Sequence, residues 1–296
     1  MKNRKQLAFW SIFSIILPIT GAKHTGVWGS FLQRIAQFCM KYILFVAQVL
    51  FSIYGFLSFI VVMFLLFPFV LVASLFGKIR GGNIIYFVCQ RWADIMMIFW
   101  GIRHRNIYEV EHDPARSYVF VFNHISYMDI PVILKAIRKQ HFRILGKAEM
   151  GKIPVFGFFY RNAAVLVDRS SAEKRAASVQ RLKSVIRKGI SVVIAPEGTF
   201  NTGTQPLKAF YDGAFKIAIE TQTPIKPMLF LDTNDRLHHN NILSLSPGRS
   251  RVVYLEAISV AGLTGKDVEM LKEKVFRIMD EKLRYYQASW IVGSQS

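Results

Sequence analysis

His124 and Asp129 stand five positions apart in Asn123-His124-Ile125-Ser126-Tyr127-Met128-Asp129. An apolar run at 118–122 precedes them and reads as a buried strand. A turn that opens a helix at the mouth of that strand can bring the two side chains together. The aspartate then holds one imidazole nitrogen while the other takes a proton, which is general-base chemistry. The same spacing also fits a partly buried histidine bonded to a helix-capping aspartate. Asn123 and Ser126 are polar neighbours that could orient the turn, Ser126 by simple N-cap chemistry. No G-x-S-x-G elbow occurs, so a serine nucleophile is a poor reading.

Three further blocks follow. The first runs from Lys147 through Pro154, Phe156-Gly157 and Arg161 to Asp168-Arg169. Asp168-Arg169 closes an apolar strand, at the end where α/β folds place ligands. Arginine can bind phosphate with two parallel hydrogen bonds, although a structural Asp–Arg pair would look the same. The second is Pro196-Glu197-Gly198-Thr199, again directly after a strand. Glycine lets the backbone approach a ligand there, and Thr199 and nearby N–H groups can donate to a phosphate, a carbonyl or an oxyanion. An ordinary turn is the plainer reading. The third, Pro224-Ile225-Lys226-Pro227, is a stiff extended segment suited to the wall of a groove.

The elements that must position these blocks form an α/β pattern. Short apolar runs at 117–122, 142–145, 163–167, 191–195, 224–230 and 251–256 read as strands. Segments 129–138, 172–188 and 211–220 between them read as helices. In the second of these, Ala176, Val179, Leu182, Val185 and Ile186 share one face at helical spacing. Such alternation predicts a mixed, largely parallel sheet flanked by helices. A last helix starts at Thr264 with Asp267 in its first turn, and buries Val268, Leu271, Val275, Ile278, Met279 and Leu283. The chain divides into an apolar, helical, membrane-anchoring and interfacial region at 1–105 and an α/β domain at 106–296.

Charge and hydropathy agree with that division. The 296 residues carry 38 Lys+Arg against 19 Asp+Glu, a net charge of +19, with 52% hydrophobic residues and a mean hydropathy of +0.28. A basic and apolar chain suits an anionic membrane surface; no nucleic-acid motif is present. No acidic residue precedes Asp94. The two cysteines, Cys39 and Cys89, read as buried thiols, and no Cys/His cluster has zinc spacing.

Residues 1–19 pair a basic start with a short apolar stretch, read as a retained anchoring helix over a signal peptide. Residues 42–76 then carry no charge. A straight helix of that length measures about 52 Å against a hydrocarbon core of about 30 Å. Gly55 and Pro68 are the candidate breaks, and basic residues flank both ends. The expectation is a re-entrant or tight hairpin with both ends in the cytoplasm, ahead of a single tilted span. Residues 78–105 mix arginine with Trp, Tyr and Phe, which suits an interfacial helix or an amphipathic one packed on the soluble domain.

The order and spacing of the four blocks are more specific than any one of them. NHxSxxD at 123–129, the Pro-x-Phe-Gly block ending in Asp-Arg at 154–169, PEGT at 196–199 and the proline-bracketed segment at 224–227 resemble the glycerolipid acyltransferase family, of the bacterial 1-acylglycerol-3-phosphate acyltransferase type. The resemblance covers residues 106–260. It implies an α/β acyltransferase fold with a membrane anchor and the catalytic domain on the cytoplasmic face. It further implies a membrane-lipid acceptor, acyl-CoA or acyl carrier protein as donor, and no other cofactor or metal. His124 would be the general base and Asp129 its partner. Asn123, Ser126, Lys147, Arg161, Asp168, Arg169, Glu197, Gly198 and Thr199 would bind substrate. Two departures bear on the acceptor. Phe200 stands where the family commonly has an arginine after Glu-Gly-Thr, and Tyr211 where a lysine is expected. The acceptor is therefore 1-acyl-sn-glycerol-3-phosphate or another lysolipid, such as an aminoacyl lipid. A lipid hydrolase or thioesterase using the same dyad, and a non-enzymatic membrane-binding protein, are the rival readings.

Overall fold

A computed structural model describes residues 27–111, 113–168 and 171–291. The anchoring helix expected near the N-terminus, and Arg169, lie outside them. The chain begins with α1 (Val27–Ser74), a single helix of 48 residues that runs through both Gly55 and Pro68. The hairpin expected within 42–76 is thus not formed there. Proline in a helix interior removes one hydrogen bond and crowds the preceding turn. Here the turns around Pro68 are held by packing: Met63, Val70 and Ala73 are buried in a cluster with Ile85 and Phe159.

The reversal comes later, at Gly77, whose φ of 75° suits glycine. A π-helical turn (Gly77–Gly81) leads into α2 (Gly82–Phe99), which folds back along α1. Phe59 meets Trp92 edge-on at 5.3 Å, and Trp100 Nε1 donates to the Gly55 carbonyl at 3.1 Å. The segment Arg34–Ser74 is the one helix among the described residues long and apolar enough to cross a membrane. Phe38, Phe45, Leu50, Phe64, Leu65 and Phe69 are exposed along it. Cys39 is exposed on α1 as well, contrary to the expectation of a buried thiol, whereas Cys89 is half-buried on α2.

Seven strands follow: β1 (Ile102–Tyr108), β2 (Val119–Phe122), β3 (Phe142–Lys147), β4 (Val165–Val167), β5 (Ser191–Ile194), β6 (Ile225–Phe230) and β7 (Gly248–Tyr254). Between and after them lie α3 (Asp129–Ala136), α4 (Phe156–Ala163), α5 (Ala172–Ile186), α6 (Gly213–Glu220), the short α7 (Thr233–Arg236) and α8 (Val268–Tyr285). The sheet order is β1-β7-β6-β2-β5-β3-β4. Every neighbouring pair is parallel except β6–β7. This is the mixed, largely parallel sheet that the alternation of runs requires.

β1 was not expected. It opens at Ile102, runs across the boundary drawn at 105, and pairs with β7 from Ile102↔Gly248 to Tyr108↔Tyr254. The two sheet faces are built by alternation along each strand. Val119 and Val121 of β2 pack with α5, α6 and α8, where Leu182, Phe215, Leu271, Val275 and Met279 are buried. Phe120 and Phe122 face the other layer, with Tyr86 and Met96 of α2 and Val132 and Ile133 of α3. Full burial of each such side chain contributes about 1.5–3 kcal/mol. The capping box at Thr264 and Asp267 forms as the sequence predicts, and starts a 3-10 turn that runs into α8. The C-terminal ends of β2, β5 and β6 lie side by side in this sheet, so the segments that follow them meet at one edge.

Candidate active site

The turn after β2 is anchored before it does any chemistry. Asn123 is buried and exchanges two hydrogen bonds with Phe230 of β6: its Nδ2 donates to the carbonyl at 3.0 Å, and its Oδ1 accepts the N–H at 2.8 Å. Its side chain thus extends the β2–β6 ladder by one step. Asp129, at the first position of α3, is fully buried. Its Oδ2 accepts from the N–H groups of Ile125 and Ser126 at 2.9 and 3.0 Å and lies 2.8 Å from His124 Nδ1. Nδ1 therefore carries the proton toward the carboxylate, and Nε2 is left as the basic nitrogen. The His124 side chain is 23% exposed, so the ring stays open to a substrate. Ser126 is buried too; its hydroxyl accepts from Met128 N–H and donates to the Leu237 carbonyl.

The Pro196–Thr199 turn supports the same residue from behind. Glu197 is 1% exposed. One of its carboxylate oxygens accepts from His124 N–H at 2.8 Å, the other from Lys208 N–H at 2.9 Å. Burial pushes its pKa up to about 7, against the lowering effect of those two hydrogen bonds. The backbone closes the same link, with Asn201 N–H donating to the His124 carbonyl at 2.7 Å. Gly198 has a φ of 71°, and the N–H groups of Gly198 and Thr199 donate to the carbonyls of Ala195 and Glu197. Both amides take part in hydrogen bonds within the turn. Thr199 is exposed, and its hydroxyl holds Lys208 Nζ at 2.7 Å. Phe200 lies against the His124 ring, with centroids 4.4 Å apart, and meets Tyr127 edge-on at 4.8 Å.

Lys147, Arg161 and Asp168 sit apart from this cluster in their contacts. Lys147 is the exposed last residue of β3. Arg161 on α4 donates to the Gly151 carbonyl. Asp168 pairs with Lys174 at 2.8 Å. Two features escaped the sequence reading. One is the segment after α7, which reaches the His124 turn through Leu237. The other is a cavity of about 390 Å³ walled by α1, α2, α3 and α4, with Phe59, Tyr86, Trp92, Leu134, Phe156 and Phe159 among its lining. Tyr127 and Met128 belong to that lining, so it begins beside the His124–Asp129 turn. No sequence pattern marks a cavity assembled from four separate helices.

Residues 102–231 match the model of the family described as Acyltransferase. That match starts at the first residue of β1 and contains the residues hydrogen-bonded to His124, Asp129 and Glu197. Among similar proteins, a 1-acyl-sn-glycerol-3-phosphate acyltransferase of Cocos nucifera is 30% identical over 185 residues, 62% of this chain and 58% of that protein. The Helicobacter pylori protein of the same name is 26% identical over 189 residues, 64% of this chain and 78% of that one. The chain thus spans little more than half of the plant protein. The crystal structure of the 1-acyl-sn-glycerophosphate acyltransferase PlsC from Thermotoga maritima covers 83% of this chain and 98% of its own, with a TM-score of 0.66 at 19% identity. At that identity the likeness of this chain to PlsC is one of fold.

Proposed function

We propose that the protein is a membrane-bound O-acyltransferase. It moves a fatty acyl group from acyl-CoA or acyl carrier protein to the hydroxyl of 1-acyl-sn-glycerol-3-phosphate, giving phosphatidic acid. The observation that carries this reading is the His124–Asp129 pair, bonded at 2.8 Å beside the mouth of an apolar cavity. A base that must deprotonate an alcohol needs a defined tautomer, and a long acyl chain needs an apolar slot; about 390 Å³ falls within the usual range for ligand pockets.

In the proposed reaction His124 Nε2 takes the acceptor hydroxyl proton as the oxygen attacks the thioester carbonyl carbon. A new C–O bond forms, and the tetrahedral intermediate collapses with loss of the C–S bond. The imidazolium then returns the proton to the leaving thiolate. Asp129 stabilises the imidazolium and fixes the ring. The acyl chain lies in the cavity. Lys208, held by Thr199, is the cation nearest in its contacts to the His124 turn and is assigned to the acceptor phosphate, since Phe200 offers no charge. Lys147, Arg161 and, on the sequence resemblance alone, Arg169 are the further candidates for that phosphate. The exposed apolar side chains of α1 and the net charge of +19 support attachment to an anionic bilayer, with the catalytic domain on its cytoplasmic face.

The test is product analysis. Full-length protein in vesicles is given labelled acyl thioester and 1-acyl-sn-glycerol-3-phosphate. Labelled phosphatidic acid is the expected product. Free fatty acid with no acylated lipid would point to the hydrolase reading instead.

A further inference from the structure

The segment 238–245 between α7 and β7 is polar by composition, His-His-Asn-Asn-Ile-Leu-Ser-Leu, yet it presents an apolar pair at its tip. Ile242 is 70% exposed and Leu243 40%. The tip is not loose. His238 N–H donates to Ser244 Oγ at 2.8 Å, Leu243 N–H to Asn241 Oδ1 at 2.9 Å, and Ser244 N–H to the Asn241 carbonyl at 3.1 Å. A loop fixed by its own hydrogen bonds cannot fold its apolar tip away from water.

The same loop is tied on one side to α1 and on the other to the catalytic turn. Gln48 Nε2 donates to the Ser244 carbonyl at 3.2 Å, and Leu245 N–H donates to Ser52 Oγ at 3.0 Å. Leu237, at the loop's start, accepts the Ser126 hydroxyl. Ile242 and Leu245 both line the apolar cavity, together with Phe56 of α1 and Tyr127 of the catalytic turn. Three of these lining residues are at least half exposed, namely Phe56 at 63%, Tyr127 at 52% and Ile242 at 70%. They mark where the cavity meets the outside. Its rim is therefore apolar and continuous with the exposed face of α1, where Phe45 and Leu50 lie next to the Gln48–Ser52 attachment.

We propose that this hydrogen-bonded loop is a second lipid contact: its Ile242–Leu243 tip sits in the bilayer beside α1 and, with Phe56 and Tyr127, frames a side portal between lipid and cavity. The portal rests on the membrane-bound reading above. It lets an acyl chain pass from the bilayer into the slot beside His124 without crossing water. Each CH₂ exposed to water on the way is unfavourable, which is the physical reason for an apolar path.

The experiment places tryptophan at three positions in the full-length chain and measures quenching by vesicles of brominated phosphatidylcholine and phosphatidylglycerol. Ile242→Trp reports on the tip, Phe45→Trp on α1, and Lys266→Trp on an exposed position in the turn before α8; emission of the parent chain is subtracted from each. The expected result is loss of most of the added emission for Ile242→Trp and Phe45→Trp, with Lys266→Trp unchanged. Quenching of Phe45→Trp alone would overturn the portal while leaving membrane attachment standing. No quenching at either would overturn both. A blue shift of Ile242→Trp on raising protein concentration without lipid would show that a second copy covers the tip, and would also overturn the proposal.

Discussion

The imidazole of His124 and the carboxylate of Asp129 meet through a single oxygen. Oδ2 lies 2.8 Å from Nδ1 and also accepts the N–H groups of Ile125 and Ser126, while Oδ1 is buried without a hydrogen-bond partner among the described residues. One atom thus holds both the ring and the turn that carries it. The hydrogen bond from His124 N–H to the Glu197 carboxylate and that from Asn201 N–H to the His124 carbonyl fix the residue from the other side.

Asp129→Asn separates the two roles. The amide oxygen can still accept from the turn, so the fold persists, but the ring loses its charged partner and its tautomer. The expected loss in kcat is on the order of 10⁴-fold with a small change in thermal midpoint. Asp129→Ala also removes the acceptor of two backbone N–H groups and should cost a further ~1–3 kcal/mol of stability. Steady-state kinetics beside thermal unfolding of both variants checks this, and equal destabilisation by the two would count against the division of roles.

Lys208→Ala tests the acceptor site. A hydrogen bond to a charged group is worth about 1.5–3 kcal/mol, so KM for 1-acyl-sn-glycerol-3-phosphate should rise about 10- to 100-fold. KM for a neutral lysolipid such as monoacylglycerol should hardly move. A parallel rise for both acceptors would remove Lys208 from phosphate binding.

Glu197 gives a pH dependence with a definite sign. Its folded pKa is raised from 4.5 to about 7, mainly by burial. Between those values the folded state binds more protons than the unfolded chain, so its contribution to stability falls as pH rises through that window. Glu197→Gln carries no such titration. Unfolding of parent and variant across pH 4.5 to 7 should therefore show a flatter slope for the variant; identical slopes would contradict the shift.

Chain length should follow the cavity. Ala163 lines it and packs against both neighbouring apolar clusters. Ala163→Phe fills part of the slot at an overpacking cost of about 1–3 kcal/mol. The expected outcome is a shift of donor preference toward shorter acyl thioesters, read from competition between donors of different length. An unchanged preference would place the chain elsewhere.

What the sequence reveals follows from what is local. The His124–Asp129 pair, the α8 capping box and the six apolar runs that form β2 to β7 each depend on residues close together in the chain, and each forms. β1 does not announce itself: Ile-Arg-His-Arg-Asn-Ile-Tyr alternates charge at a sheet edge, and only its pairing with the distant β7 makes it a strand. Helix α1 passes Gly55 and Pro68 because α2 and α4 pack on it, which no local propensity records. Glu197 reads as a ligand group, yet burial assigns both of its oxygens to backbone N–H groups far apart in sequence. The cavity and the 238–245 loop are likewise products of tertiary packing.

The most direct measurement concerns His124 itself. Full-length His124→Ala, and the closer His124→Gln, are compared with the parent chain in vesicles containing labelled acyl thioester and 1-acyl-sn-glycerol-3-phosphate. Thermal unfolding of the same preparations shows that each variant is folded. If His124 is the general base, both variants bind the acceptor with little change in KM and lose acyl transfer by about 10²–10⁴-fold. Full transfer activity in folded His124→Ala would contradict that role and with it the proposed mechanism.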